Sequence, residues 1–199
     1  LTKMGSLCEE ALALAAKALA NADGQTAAKI APIDSEIDQM ERTIESLCLK
    51  LLLQQQPVAR DLRQISAALK MITDMERIGD QASDIAEIIG FLNGRIGTDA
   101  QYICQMAVAA MRMVTESVEA YVKRDVAMAE ATIQHDDVVD DLFLKVKESL
   151  IQMISENPKD GEYALDLLMI AKYFERIGDH ATNIAEWVVF SVTGVHEQV

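Results

Sequence analysis

An all-α fold, built as a tandem pair of three-helix bundles with six long helices, is what this sequence predicts, and three observations carry it. The 199-residue chain is half hydrophobic yet only 5% aromatic, with three prolines and nine glycines, a composition that favours helix over sandwiches or barrels. Apolar residues recur three and four positions apart throughout. The chain also repeats itself: Glu76-Arg-Ile-Gly-Asp80-Gln-Ala-Ser-Asp-Ile-Ala-Glu87 returns as Glu175-Arg-Ile-Gly-Asp179-His-Ala-Thr-Asn-Ile-Ala-Glu186, with nine of twelve positions identical. A weaker correspondence, Asp34-Ser-Glu-Ile-Asp38 against Asp136-Asp-Val-Val-Asp140, lies upstream of each copy. The sequence therefore divides into repeats at 1–95 and 96–199.

In the first repeat, helices are expected near 2–22, 25–55 and 57–92. Asn21-Ala-Asp-Gly24 supplies one turn, and Pro57 opens the third helix, where a missing N–H costs nothing. Gly94 to Asp99 separates the repeats, and helices near 99–123, 125–155 and 158–192 follow, the last opening on Pro158. Connections this short make neighbouring helices antiparallel. The methionines Met71, Met75, Met106, Met111 and Met113 fall at helical spacing and read as core filler.

Thirty-two acids against eighteen bases leave a net charge of −14, which repels nucleic acid and anionic lipid and leaves cations and basic partners open. Cys8, Cys48 and Cys104 form neither a C-x-x-C pair nor a disulfide framework. The longest uncharged stretch, Ala100 to Met111, falls well below the roughly 20 apolar residues that span a bilayer. With no leader pattern at the start, the expectation is a cytoplasmic protein without direct membrane insertion.

The acids fall where a core is expected. Residues four apart on a helix differ by only about 40°, so Glu76 and Asp80 share a face, which continues the stripe of Leu62, Ile65, Leu69 and Ile72. Glu175 and Asp179 follow Ala164, Leu168 and Ala171 in the same way. Asp34 and Asp38 form a row with Glu41 and Glu45 beside Ile37, Ile44 and Leu51, and Asp136 and Asp140 adjoin Val139, Phe143 and Leu150. In an antiparallel hairpin, residues equidistant from the turn meet. Asp38 with Glu76 and Asp34 with Asp80 both centre on Pro57, while Asp140 with Glu175 and Asp136 with Asp179 centre between Asn157 and Pro158.

Four inward carboxylates repel one another and resist desolvation unless a cation neutralises them. Oxygen-only ligation suits hard divalent or ferric ions, and carboxylate-rich sites can bridge more than one. Gly79 and Gly178, beside the acidic faces, leave room for an ion or a neighbouring backbone. Two blander readings compete. The acids could be solvated helix faces, which four facing rows argue against, or Arg77 and Arg176 could neutralise them, although these lie about 100° round the helix from Glu76 and Glu175.

The two E-R-I-G-D-x-A-x-x-I-A-E motifs, each preceded by a D-x-x-x-D row within a three-helix repeat, resemble the PhoU family of phosphate-transport regulators over essentially the whole chain. That resemblance implies two three-helix bundles related by a pseudo-twofold, with E/D-x-x-x-D motifs that bind multinuclear iron or zinc clusters in some members. The implied ligands are Asp34, Asp38, Glu76 and Asp80 in one bundle and Asp136, Asp140, Glu175 and Asp179 in the other. It further implies a homodimer that restrains the phosphate-starvation response. Its implied partners are the ATPase subunit of a phosphate ABC transporter and a membrane sensor kinase, met at the inner face of the membrane. Where the first repeat carries Glu41, Glu45 and Asp84, the second has Phe143, Lys147 and Asn183, so weaker or fewer metals are expected there.

A carboxylate-bridged metalloenzyme, redox or hydrolytic, is the chemical rival. Its usual E-x-x-H motif is absent, since Thr132, Ile177 and Thr193 precede His135, His180 and His196 by three. His180 points about 140° from Glu175 and reads as a surface histidine. No phosphate-cradling glycine loop occurs, and no nucleophile has an evident base. The sequence thus reads as a regulatory metal-binding module rather than an enzyme, with a metal-free helical scaffold as the third possibility.

Overall fold

The structure, a computed structural model, describes residues 1–54, 58–92, 94–95 and 100–195. Six long helices and no strand occur among these residues. The first, α1 (Thr2–Asn21), buries Met4, Leu7, Cys8, Ala11, Leu12, Ala15, Ala18 and Leu19, spaced three and four apart as one packed stripe demands. It ends at Ala22, which adopts a left-handed conformation (φ 52°) and donates its N–H to the carbonyls of Ala18 and Leu19. Asp23 then caps a single turn, α2 (Gly24–Ala27), by accepting from the Gln25 N–H.

The second expected helix is broken. After α2 the chain kinks at Ala28 and Lys29 and resumes as α3 (Ile30–Gln54). Pro32 accounts for the kink: it has no N–H to offer the Ala28 carbonyl, and its ring crowds that carbonyl. The third helix, α4 (Ala59–Phe91), runs for 33 residues. Pro57, expected to open it, lies outside the described residues.

The second repeat uses the same devices. Helix α5 (Gln101–Lys123) ends at Arg124, again left-handed (φ 54°), and Asp125 caps α6 (Val126–Gln134) by accepting from the Met128 N–H. His135 separates α6 from α7 (Asp136–Glu156). Pro158 does not open the last long helix. It sits in a 3-10 turn, Pro158–Asp160, capped by the Asn157 side chain, and α8 (Gly161–Thr193) follows before Gly194 closes it at φ 79°.

Helices α4 and α8 cross antiparallel at the centre of one continuous core fed by both repeats. The packing is pseudo-twofold at the level of individual polar pairs. Asp74 of α4 accepts from Asn183 of α8 (3.0 Å), and Asp84 of α4 accepts from Tyr173 of α8. A shift of 99 residues, the offset of the repeated motif, turns one pair into the other. Met71, Met75, Met106 and Met113 are fully buried, while Met111 is only partly so.

The stripes leading to the acids are not buried along their full length. Ile37 and Ile72 are enclosed, but Leu51 and Leu62 are 39% and 45% exposed. The acids thus sit on a seam between two helices, one side packed and the other wet.

Candidate metal centre

Helices α3 and α4 bring three of the expected ligands together. One carboxylate oxygen from each of Asp34, Asp38 and Asp80 lies within 4.8 Å of the others. The i, i+4 spacing stacks Asp34 above Asp38 on α3, and the antiparallel register sets Asp80 of α4 opposite them. Asp34 accepts from the Ser83 hydroxyl, yet its buried Oδ1 has no hydrogen-bond partner. A buried anionic oxygen without a donor is costly, and a cation is the partner that best relieves it.

Gly79 explains how Asp34 gets so close. A Cβ at that position would stand 2.8 Å from Asp34 Oδ1 and 3.0 Å from Ile37 Cδ1, so any side chain there would force the carboxylate to move. Gly178 does the same for Asp136, whose Oδ1 would be 3.0 Å from its Cβ. The motif glycines therefore make room for a facing carboxylate. The sequence alone allows an ion or a neighbouring backbone in that place.

Electrostatics follow from the crowding. Desolvation, then the charges of Asp80 and Asp38, push the Asp34 carboxyl above the usual range. Glu76 is raised by burial and by Asp80, with Arg77 opposing. Contrary to the geometric expectation, Arg77 does pair here: its Nε lies 3.4 Å from Glu76 and its Nη1 3.1 Å from Asp80. A long, half-exposed guanidinium stem spans the 100° that a helical wheel counts against it, and Asp80 is three residues on. The pairing lies at the solvent edge and leaves Asp34 Oδ1 untouched.

The second repeat is arranged differently. Asp136 is half-buried and its carboxyl is pushed up to about 6, by desolvation and then by Asp179, Asp140 and Glu175, so the four expected residues are neighbours. Asp140 and Asp179 are nevertheless exposed, and among the described residues these acids do not converge as Asp34, Asp38 and Asp80 do. Lys172 donates to Glu175, and its charge opposes the rise of the Asp140 and Asp179 carboxyls. Nothing in the repeated motif signalled Lys172, since it lies three residues before the identity begins; its counterpart is Thr73.

His180 is partly buried instead of facing solvent. Its ring is 17% exposed and its Nδ1 lies 2.9 Å from Asp74 Oδ1. The direction 140° away from Glu175 meets the α4–α8 seam instead of solvent. A groove of about 820 Å³ between α5 and α7, lined by Val108, Val138 and Leu142 among others, is separate from both acidic clusters.

A family model described as PhoU domain matches residues 1–89 and again 103–188. The chain is 37% identical over 196 residues to a Clostridium acetobutylicum protein named phosphate-specific transport system accessory protein PhoU homolog, covering 98% of this chain and 90% of the relative. A relative of the same name from Pseudomonas aeruginosa is 35% identical, with 98% and 81% covered. Among solved structures, that of PhoU from Pseudomonas aeruginosa superposes with a TM-score of 0.93 at 34% identity, covering 97% of this chain and 93% of the other. The phosphate transport system regulatory protein PhoU from Streptococcus pneumoniae gives a TM-score of 0.89 at 25% identity, with 100% and 94% covered.

Proposed function

Because the chain belongs to the PhoU family of phosphate-transport accessory proteins, we propose that it is a regulatory adaptor of phosphate uptake whose first acidic cluster holds a multivalent cation. The observation that carries the cation is the unpartnered buried Oδ1 of Asp34 among three converging carboxylates. Asp34, Asp38 and Asp80 would hold the ion, with Glu76 beside them. An all-oxygen donor set of this kind suits iron or another hard ion, and accepts zinc. Bound there, the ion supplies the positive charge that keeps the cluster ionised. The chain does the positioning: Gly79 admits Asp34, Ser83 orients it, and Arg77 holds Asp80 from the solvent side.

The relatives carry names of accessory and regulatory proteins, which supports an adaptor over an enzyme. The proposed partners are the ATPase subunit of the phosphate transporter and the sensor kinase of the phosphate-starvation response, which the adaptor restrains as a homodimer at the inner face of the membrane. Among the described residues no helix is long and apolar enough to cross a membrane, so attachment would run through these partners.

A deletion strain complemented with this chain or with Asp38→Asn tests the reading. Restored repression of starvation genes in high phosphate by the parent chain, lost in the variant, is the expected result. Co-purification with the transporter ATPase and the kinase completes it, and failure to repress together with failure to bind either partner would reject the adaptor. Phosphoester or oxygen turnover abolished by Glu76→Ala would instead establish the metalloenzyme.

A further inference from the structure

The two acidic clusters have solved the same electrostatic problem in different ways. This inference rests on the reading of the first cluster as a cation site and concerns the second. Position by position, Thr73 corresponds to Lys172 and Glu41 to Phe143. In the first repeat the Thr73 hydroxyl reaches Glu41 Oε1 at 3.4 Å, adding a carboxylate to the row. In the second, that carboxylate is replaced by the Phe143 ring, and the ring has two ammonium groups near its face: Lys172 Nζ at 5.6 Å from the centroid and Lys147 Nζ at 5.9 Å. An aromatic face attracts such cations electrostatically.

Lys172 also donates to Glu175, three residues on along α8. Glu175 is its ion-pair partner, and the Lys172 charge only partly offsets the burial that raises the Asp140 and Asp179 carboxyls. An ammonium on a flexible stem is a compact point charge with three donors, able to satisfy several carboxylates at once. We propose that Lys172 is the built-in counterion of the second cluster, so that the chain takes a multivalent ion at Asp34, Asp38 and Asp80 and none among Asp136, Asp140, Glu175 and Asp179. The swap of a Thr–Glu pair for a Lys–Phe pair is the determinant of which cluster loads.

Zinc is a suitable probe. The full chain, stripped with chelator, is dialysed against Zn²⁺ and its bound zinc counted by elemental analysis. Asp38→Asn is expected to weaken zinc binding at least tenfold, and Asp140→Asn to leave the count unchanged. The double variant Lys172→Thr with Phe143→Glu, which restores the first-repeat pair, is expected to bind additional zinc that a further Asp140→Asn removes. Equal zinc loss in Asp38→Asn and Asp140→Asn would overturn the proposal. A second arm needs no metal. In chelator, a double-mutant cycle between Lys172→Met and Glu175→Gln is expected to show coupling in the unfolding free energy, with helix content checked by circular dichroism. Absence of coupling between folded variants would remove the counterion. A parent chain that binds no zinc yet retains this coupling would reject the cation reading of the first cluster while upholding the role of Lys172.

Discussion

The buried Oδ1 of Asp34 lies 2.8 Å from the point where a Cβ on Gly79 would stand. This one distance ties the repeated motif to the acidic row upstream of it, because the glycine of one helix and the first aspartate of the other are two halves of a single close approach. Gly178 and Asp136 repeat it at 3.0 Å with more slack behind, since Val139 is 3.6 Å away where Ile37 is 3.0 Å.

Gly79→Ala is therefore expected to destabilise the chain by about 1–2 kcal/mol, overpacking outweighing the gain in helix propensity. It should also weaken metal binding by displacing Asp34. Gly178→Ala should cost less. Thermal melts of both variants with and without added zinc check the order, and equal effects at the two glycines would contradict it.

The raised Asp136 carboxyl gives a pH prediction with a definite sign. Its value of about 6 in the fold exceeds the 3.8 of an unperturbed aspartate, so between those limits the native state holds more protons than the unfolded state. Stability from this group is then fully present below pH 3.8 and is lost as pH rises through about 6. Denaturation of the chelator-treated chain across pH 4 to 7.5 should show a smaller fall with rising pH in Asp136→Asn than in the parent.

Asp74 joins the repeats. Replacing it with alanine leaves His180 and Asn183, both partly buried, without their shared acceptor. A loss of about 1–3 kcal/mol is expected with helix content unchanged. Tyr173→Phe, which removes the pseudo-twofold partner of the Asp74–Asn183 bond, should destabilise in the same direction by about 1 kcal/mol. Urea unfolding of the two variants measures both.

Much of this was legible in the sequence, for reasons that are local. Helical periodicity and the duplicated motif gave six long helices, and the shared midpoint of Asp34 with Asp80 set these two carboxylates face to face. The kink before Pro32 was less visible because α2 and α3 share a continuous apolar pattern, although the proline was there to be read. A helical wheel gives a direction without saying what lies along it, so it places His180 toward solvent although that direction leads to Asp74 on α4. It also ignores side-chain length, and so discounted Arg77. The contribution of Lys172 required tertiary structure, since its meaning comes from Phe143 on another helix.

Crystals of the protein purified without chelator, measured above and below the iron and zinc absorption edges, address the central claim most directly. An anomalous peak is expected between the carboxylates of Asp34, Asp38 and Asp80, with Asp34 Oδ1 among its ligands. Absence of any peak there, with Asp34 turned to a protein donor and Asp80 held by Arg77 alone, would contradict it.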